Sequence, residues 1–150
     1  MSVQIATIDE LDARTLYALL RLRTDVFVVE QHCPYPELDG RDLEPATRHL
    51  WLTDAHSQPQ AYLRVLAEPD GAARIGRVCT AAAARRRGLS DHLVRVALDL
   101  IGEQTPVVLD AQSYLVGFYA HLGFAASGAP FVEDDIPHTP MRRDAGASRR

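Results

Sequence analysis

A basic, glycine-containing loop is the part of this sequence whose residue types and spacing most directly suggest chemistry. Its residues are Arg85, Arg86, Arg87, Gly88, Leu89 and Ser90. Apolar residues recur at helical spacing after it, so the loop opens a helix, whose first N–H groups lack internal partners and carry the positive end of the dipole. Gly88 lets an anion approach the backbone, and the guanidiniums supply charge and forked donors. The pattern predicts a site for a ligand that carries phosphates, with an ordinary solvated loop as the alternative.

The segments around this loop must position it. An apolar strand over Ala73–Thr80 is predicted before it, and a helix from Leu89 to about Gly102 after it. The other predicted helices run from Asp9 to about Val29, with Asp9 or Asp12 as cap, and over Tyr114–Leu122, with Gly123 as cap. The other predicted strands are Val3–Ala6, His49–Asp54, Gln60–Ala67, Pro106–Ala111, Phe124–Ala126 and Pro137–Arg142, with an acidic loop between the last two. Gln31–Thr47 should form a long loop, and long ordered loops are often binding loops.

Length and charge bound the class of protein. A chain of 150 residues, of which 47% are hydrophobic, can form one domain with a real core. We expect that domain over residues 1–144 and a frayed tail over residues 145–150. The formal charge of −4 argues against a general nucleic-acid binder. All 16 basic residues are arginines, which removes Schiff-base chemistry on lysine.

Cysteine, histidine and hydropathy patterns narrow the class further. Cys33 and Cys79 form no CxxC pair, and the 6 histidines show no metal-ligand spacing, so we expect neither a disulfide framework nor a metal. No apolar run approaches the roughly 20 residues that span a bilayer. The N-terminus lacks a signal-peptide pattern. We therefore expect a cytoplasmic enzyme or binding domain without a membrane partner.

Two motifs together resemble the GNAT acetyltransferase superfamily. They are Arg85-x-x-Gly88-x-Ser90 and Phe118-Tyr119-x-x-x-Gly123-Phe124. The segments that narrow the resemblance to ElaA-like GNAT proteins are 16–20, 26–31, 33–35, Asp39-Gly40, Arg48-His49 and Ile136-Pro137-His138. The likeness runs from about residue 11 to residue 143. It implies an α/β fold in which a central, mostly antiparallel mixed sheet splays around an acetyl-CoA site, with helices on both faces.

The resemblance also implies how the donor, acetyl-CoA, would be held. The loop from Arg85 to Ser90 would bind the pyrophosphate through its amides. The backbone groups that would bind the pantetheine arm belong to Val78, Cys79 and Thr80. Gln112 stands where the family often has an asparagine facing the pantetheine, and Tyr119 matches the tyrosine near the thioester sulfur. Ser90 replaces the commoner glycine or alanine, a change that a small hydroxyl should tolerate.

Acetyl transfer to an amine needs a group that removes a proton. An aliphatic amine with a pKa near 10 is deprotonated in only about one molecule per thousand at pH 7. The candidates are Glu30, at the end of a helix beside the long loop, and His138, because histidine is the side chain that most often acts as a base near neutral pH. A structural or solvent-facing role is the alternative for each. The strand over Ala73–Thr80 has no carboxylate, although some relatives take their base from it.

Tyr119 and Cys79 are expected to do less chemistry than their residue types allow. Tyr119 is expected to hydrogen-bond the developing thiolate, because proton transfer from a phenol to a thiolate is uphill by roughly 2 kcal/mol. Cys79 is expected to be a small buried hydrophobe rather than a nucleophile. A backbone N–H near Thr80 could bind the oxyanion.

Acidic residues bear on the acceptor. They are Glu30, Glu37, Asp39, Asp42, Glu44, Glu133, Asp134 and Asp135. If they flank the thioester, they favour a cationic acceptor such as the primary amine of a small molecule or peptide, while ordinary solvated loops are equally consistent. The leading hypothesis is an N-acetyltransferase that works through a ternary complex. A CoA-binding sensor or scaffold and an acyl-carrier-dependent synthase are the alternatives, and a homodimer is one option for the assembly.

Overall fold

The computed structural model describes residues 2–146 and contains, within that range, one eight-stranded sheet and three α-helices. The strands are β1 (Val3–Ala6), β2 (Arg48–Thr53), β3 (Pro59–Ala67), β4 (Ala73–Thr80), β5 (Val107–Gln112), β6 (Ala125–Ala126), β7 (Phe131–Glu133) and β8 (Ile136–Arg143). The helices are α1 (Ala13–Thr24), α2 (Leu89–Ile101) and α3 (Val116–His121). Most of the predicted tail, residues 147–150, lies outside the described residues.

The sheet opens where its two parallel strands meet. The strand order is β1-β2-β3-β4-β5-β8-β6, with β7 also beside β8, and β4–β5 is the parallel pair among antiparallel neighbours. These two strands pair only at their beginnings, where Ala73 faces Val107 and Arg74 faces Val108. Beyond that point they separate and leave a cleft between their carboxyl ends. The predicted antiparallel, splayed sheet is therefore confirmed.

Helices cover both faces of the sheet. α2 and α3 lie on one face and share the main core, whose buried members include Leu63, Leu93 and Leu98. α1 lies on the other face, where Leu19 and Leu22 pack in a second core with strand residues. Within the described residues, no helix is both long enough and apolar enough to cross a bilayer.

The first helix begins after the second of the two predicted caps, Asp12. Asp12 is its cap, because its Oδ1 accepts a hydrogen bond from the Thr15 backbone N–H at 2.7 Å. The earlier segment forms a separate short 3₁₀ turn over Ile8–Glu10, so of the two predicted caps Asp12 is confirmed and Asp9 is wrong. After Thr24 the chain continues as a π-helical turn over Asp25–Glu30, close to the predicted end.

The acidic segment near the C-terminus, which the sequence predicts as a loop between the last two strands, is the tip of a hairpin. β7 pairs with β8, and Asp134 and Asp135 form the turn with φ of 52° and 62°. Aspartate tolerates this left-handed conformation better than most residues, and such turns match the twist of hairpin strands. The sequence prediction missed β7 because three residues give too short a pattern to show alternation.

Candidate active site

The loop at residues 85–90, here called the phosphate loop, leads directly into α2. Gly88 caps the helix with a left-handed φ of 70°, and no atom lies within 4 Å of the position that a Cβ would occupy. Arg86 is also left-handed, with φ of 66°. The first backbone hydrogen bond of the helix runs from the His92 N–H to the Gly88 carbonyl at 3.0 Å. The amides of residues 89–91 therefore point out of the helix start toward the opening at the loop.

Three elements meet beside the phosphate loop. The Ser90 and Thr80 hydroxyls lie 2.6 Å apart and join the start of α2 to the end of β4. A cavity of about 160 Å³ lies at this junction, and Phe118 of α3 also lines it. Its other lining residues are Thr80, Ala84, Arg85, Arg86, Gly88, Leu89, Ser90 and Asp91. The predicted loop residues other than Arg87 thus line one concave surface.

The three loop arginines have different surroundings. Arg85 Nη2 lies 2.8 Å from both carboxylate oxygens of Glu30, and its Nε donates to the Thr80 carbonyl at 3.2 Å. Arg86 and Arg87 are exposed, and neither forms an ion pair with another described residue. Two guanidiniums are therefore available to an anion, and the third already holds a carboxylate.

One wall of the cleft is the end of β4. Val78 packs against the main core, while Cys79 lies on the α1 face and is buried. Burial raises the pKa of the Cys79 thiol to about 12, which leaves it protonated and unreactive near neutral pH. Past Arg74, no described residue of β5 pairs with this strand, so its edge on that side is open.

The opposite wall carries Gln112 and His138. Gln112 ends β5 and lies opposite His138 on β8. His138 Nδ1 is 2.8 Å from the Ile136 carbonyl, and its ring stacks on Phe131 with centroids 5.5 Å apart. Because a carbonyl only accepts, Nδ1 carries the proton in the neutral ring and Nε2 keeps a lone pair. This arrangement suits a proton acceptor.

Tyr119 lies in the main core below the cleft. It is 5% exposed and makes edge-to-face contacts with Phe118 and Phe124. Burial raises the pKa of its phenol to about 12, against about 8.5 for an ordinary thiol, so full proton transfer to a thiolate would be uphill by roughly 5 kcal/mol. The side chain is better suited to donating a hydrogen bond than to giving up its proton.

The two predicted bases lie in different places. Glu30 ends the π-helical turn after α1 and is held by Arg85 beside the phosphate loop. His138 lies on the β8 wall next to Gln112. Glu30 as a base stays a prediction, and its ion pair suggests a second role at the donor side.

A buried ion-pair network in the long loop was missed from the sequence. The loop at residues 31–47 is here called the acidic loop. Its Glu37 and Asp42 each lie within 2.7 Å of Arg23, which is 1% exposed. Arg64, which is 3% exposed, contacts Asp39 and Asp42 at 2.5 and 3.0 Å.

These carboxylates are therefore already paired with arginines, and those of Glu37 and Asp42 are also buried. Burial opposes ionisation of Asp42, but the hydrogen bonds and charge of Arg23 outweigh it and lower the pKa of that carboxyl. Glu44 is likewise paired, with Arg41 at 2.9 Å. A sequence signal existed, because Arg23 and Arg64 interrupt apolar segments, where an arginine usually needs a buried partner.

A larger opening, a groove of about 750 Å³, runs along α1. The residues that line it come from α1, the π-helical turn after it, the start of β3 with Gln58 before it, and Ala81, and none of them was predicted as a site residue. Within the described residues, no cluster of three or more histidine, cysteine or acidic side chains could hold a metal ion.

Comparisons with known proteins agree with this architecture. Residues 23–145 match the family model described as an acetyltransferase (GNAT) domain. The chain is 50% identical over 137 residues to a UPF0039 protein of Mycobacterium tuberculosis, covering 89% of this chain and 87% of that protein.

Two solved structures share the fold closely. An acyl-CoA N-acyltransferase from Pseudomonas aeruginosa is 44% identical, with a TM-score of 0.89 over 95% of this chain and 99% of its own. Escherichia coli ElaA is 36% identical, with the same TM-score of 0.89 and the same coverage of 95% and 99%. The resemblance to ElaA-like proteins is confirmed. The chain belongs to the GNAT acetyltransferase family.

Proposed function

We propose that this protein transfers the acetyl group of acetyl-CoA directly to a primary amine within a ternary complex. The observation that carries the proposal is the open edge of β4, which leads to a phosphate loop with outward-pointing amides at the start of α2. A long ligand with a diphosphate at one end and an extended polar arm fits such a pair of features. Membership of the family supports an acyl-CoA as that ligand.

The donor would lie along the cleft. The amides after Gly88 and the exposed guanidiniums of Arg86 and Arg87 would bind the pyrophosphate. The pantetheine amides would pair with the backbone of Val78, Cys79 and Thr80 in the manner of an added strand, and Gln112 would face them from β5. The thioester would then lie deep in the cleft, near the helix that carries Tyr119.

The chemistry would use few side chains. His138 Nε2 would accept the amine proton, directly or through water, while Tyr119 would hydrogen-bond the departing thiolate. A β4 amide near Thr80 would bind the oxyanion of the tetrahedral intermediate. Glu30 is the second candidate base, and it would first have to leave Arg85.

The acceptor would be the amine of a small molecule or peptide. The acidic loop does not support a cationic acceptor, because arginines neutralise its carboxylates. The tip of the β7–β8 hairpin does support one, because Glu133, Asp134 and Asp135 are exposed and form no ion pair with a described residue. The tip follows β7, whose Phe131 ring stacks on His138. Its negative charge would therefore act on the wall of the cleft that carries His138.

Turnover with a panel of amines tests the proposal. The purified chain is mixed with acetyl-CoA and primary amines, including lysine-containing and N-terminal peptides, and the release of CoA thiol is followed. Amine-dependent thiol release with matching acetylated product is expected. Tight acetyl-CoA binding without turnover across the panel would instead support a sensor or scaffold.

A further inference from the structure

A bulge interrupts β4 just before the cleft wall. On β3, Tyr62 and Arg64 are two residues apart, whereas their partners Cys79 and Gly76 on β4 are three apart. Arg77 and Val78 therefore lie opposite the single residue Leu63. Arg77 has a left-handed φ of 53°. A residue with a Cβ pays about 1–2 kcal/mol for this conformation, so surrounding contacts must hold it.

The acidic loop supplies those contacts. Arg77 Nε lies 2.9 Å from Glu37 Oε2, and its Nη2 donates to the Glu37 carbonyl at 3.1 Å. The guanidinium also lies over the Tyr35 ring, 5.6 Å from its centroid. Glu37 is 5% exposed, and the same Oε2 accepts a 2.7 Å hydrogen bond from Arg23 Nε on α1. One buried carboxylate thus fastens the bulge to a helix on the α1 face.

The bulge decides how the following residues face. Gly76 is paired before it and Cys79 after it, while Val78, which lies in the bulge with Arg77, packs toward the opposite core from Cys79. The open edge of β4 follows immediately, and no β5 residue of the described chain steadies it. The conformation of Arg77 is therefore transmitted directly to the backbone groups of residues 78–80.

We propose that Arg77 is a positioning residue: its clamp on Glu37 holds the β4 bulge and so fixes the direction in which the amides and carbonyls of residues 78–80 meet the acyl-pantetheine arm. That the cleft holds an acyl-pantetheine arm rests on the proposed function. The clamp itself does not touch the reacting atoms and is a property of the unliganded chain.

The test compares Arg77→Gln with Arg74→Gln. Arg74 is on the same strand and forms ion pairs with Asp110 at 3.3 Å and Glu68 at 3.7 Å, but it lies before the bulge. Amide hydrogen exchange, acetyl-CoA affinity by calorimetry, and kcat are measured for each. For Arg77→Gln we expect at least tenfold faster exchange at residues 78–80 and a kcat at least tenfold lower, with acetyl-CoA affinity within threefold because the phosphate loop is intact. For Arg74→Gln, all three should stay within twofold of the wild-type values.

Two outcomes would overturn the clamp: wild-type exchange at residues 78–80 in Arg77→Gln, or equal changes in both variants. Arg77→Lys keeps the charge without the fork and should fall between wild type and Arg77→Gln, so it carries the comparison if Arg77→Gln does not fold. Wild-type exchange in Arg77→Lys would then count against the clamp. Amide exchange can be measured without catalysis. An inactive wild type would therefore contradict the proposed function, while exchange at residues 78–80 would still test the clamp.

Discussion

Dense charge occurs in two loops of this molecule, and the fold uses it differently in each. In the phosphate loop, Arg86 and Arg87 extend into solvent beside outward-pointing helix amides. In the acidic loop, Glu37, Asp39 and Asp42 are held by arginines from α1, β3 and β4. Two arginines of the phosphate loop are therefore available to a ligand, whereas the carboxylates of the acidic loop are already paired within the fold.

This difference separates binding from stability. A change in the acidic loop should weaken the fold before it affects any ligand. A change in the phosphate loop should affect an anionic ligand with little cost to the fold. Substitutions in each loop test whether binding and stability are separable in this way.

The largest effect is expected for Asp42→Ala. It leaves Arg23 and Arg64 buried without their shared carboxylate, and breaking a buried ion pair costs about 3–5 kcal/mol. Urea unfolding measures the loss. Asp25→Ala is the control, because its pair with Arg21 is exposed and long at 4.0 Å, and it should cost less than about 0.5 kcal/mol. A loss for Asp42→Ala as small as the control would show that the acidic loop is ordinary surface.

The same carboxyl makes a pH prediction. The pKa of Asp42 is lower in the folded chain than in the unfolded one, so its contribution to stability is complete above about pH 4 and is lost as the pH falls through the folded value. The free energy of unfolding of the wild type should therefore fall more steeply on acidification below pH 4 than that of Asp42→Ala. Parallel curves would contradict the ionised, paired state.

Gly88→Asp should weaken acetyl-CoA binding at least 100-fold. The substitution puts a side chain with a negative charge at a position with φ of 70°, at the start of the helix that would receive the pyrophosphate. Isothermal titration measures the affinity. Gly71→Asp is the control, since its φ is 93° and it has equal space, but it lies in the β3–β4 turn. Wild-type affinity in Gly88→Asp would mean that the diphosphate binds elsewhere.

Tyr119→Phe should lower kcat at least tenfold and leave acetyl-CoA affinity unchanged. The variant keeps the ring in the core and removes only the proposed donor to the thiolate. Steady-state kinetics with the best amine measures the effect, and Tyr17→Phe, at a 73% exposed position on α1, is the control. Unchanged turnover would assign Tyr119 to packing alone.

The smallest effect is expected for Glu30→Gln. Removing the carboxylate frees Arg85, and an exposed pair is worth about 0–1 kcal/mol, so acetyl-CoA should bind up to about fivefold more tightly. Asp25→Asn, which removes a charge from the same π-helical turn without touching Arg85, should leave the affinity unchanged. Weaker binding in Glu30→Gln would show that the ion pair supports the donor site.

Local patterns in the sequence predicted much of the fold. Apolar segments predicted β2, β3 and β4, and the apolar stripe from Leu89 predicted α2, each within one or two residues. The family resemblance predicted the splayed sheet, which no local pattern encodes. β7 was missed because its three residues are too few to show a period.

The candidate site likewise has a part that local sequence predicts and a part that depends on contacts between distant residues. The phosphate loop is one continuous segment, so its geometry follows from its own glycine and the helix after it. The ion-pair network joins residues 14 to 40 positions apart in sequence, such as Glu37 with Arg23 and Arg77, so only the folded chain shows which charges meet. The position of His138 opposite Gln112 depends in the same way on strand register.

The central claim is that the cleft between β4 and β5 holds acetyl-CoA, with its diphosphate at the start of α2. Titrating the ¹⁵N-labelled chain with acetyl-CoA and following every backbone amide by NMR tests it most directly. If acetyl-CoA binds in this cleft, the largest shifts will be at residues 78–80, 86–91 and 112, with little change in the acidic loop. Shifts concentrated along the groove at α1, with the amides of residues 86–91 unmoved, would contradict it.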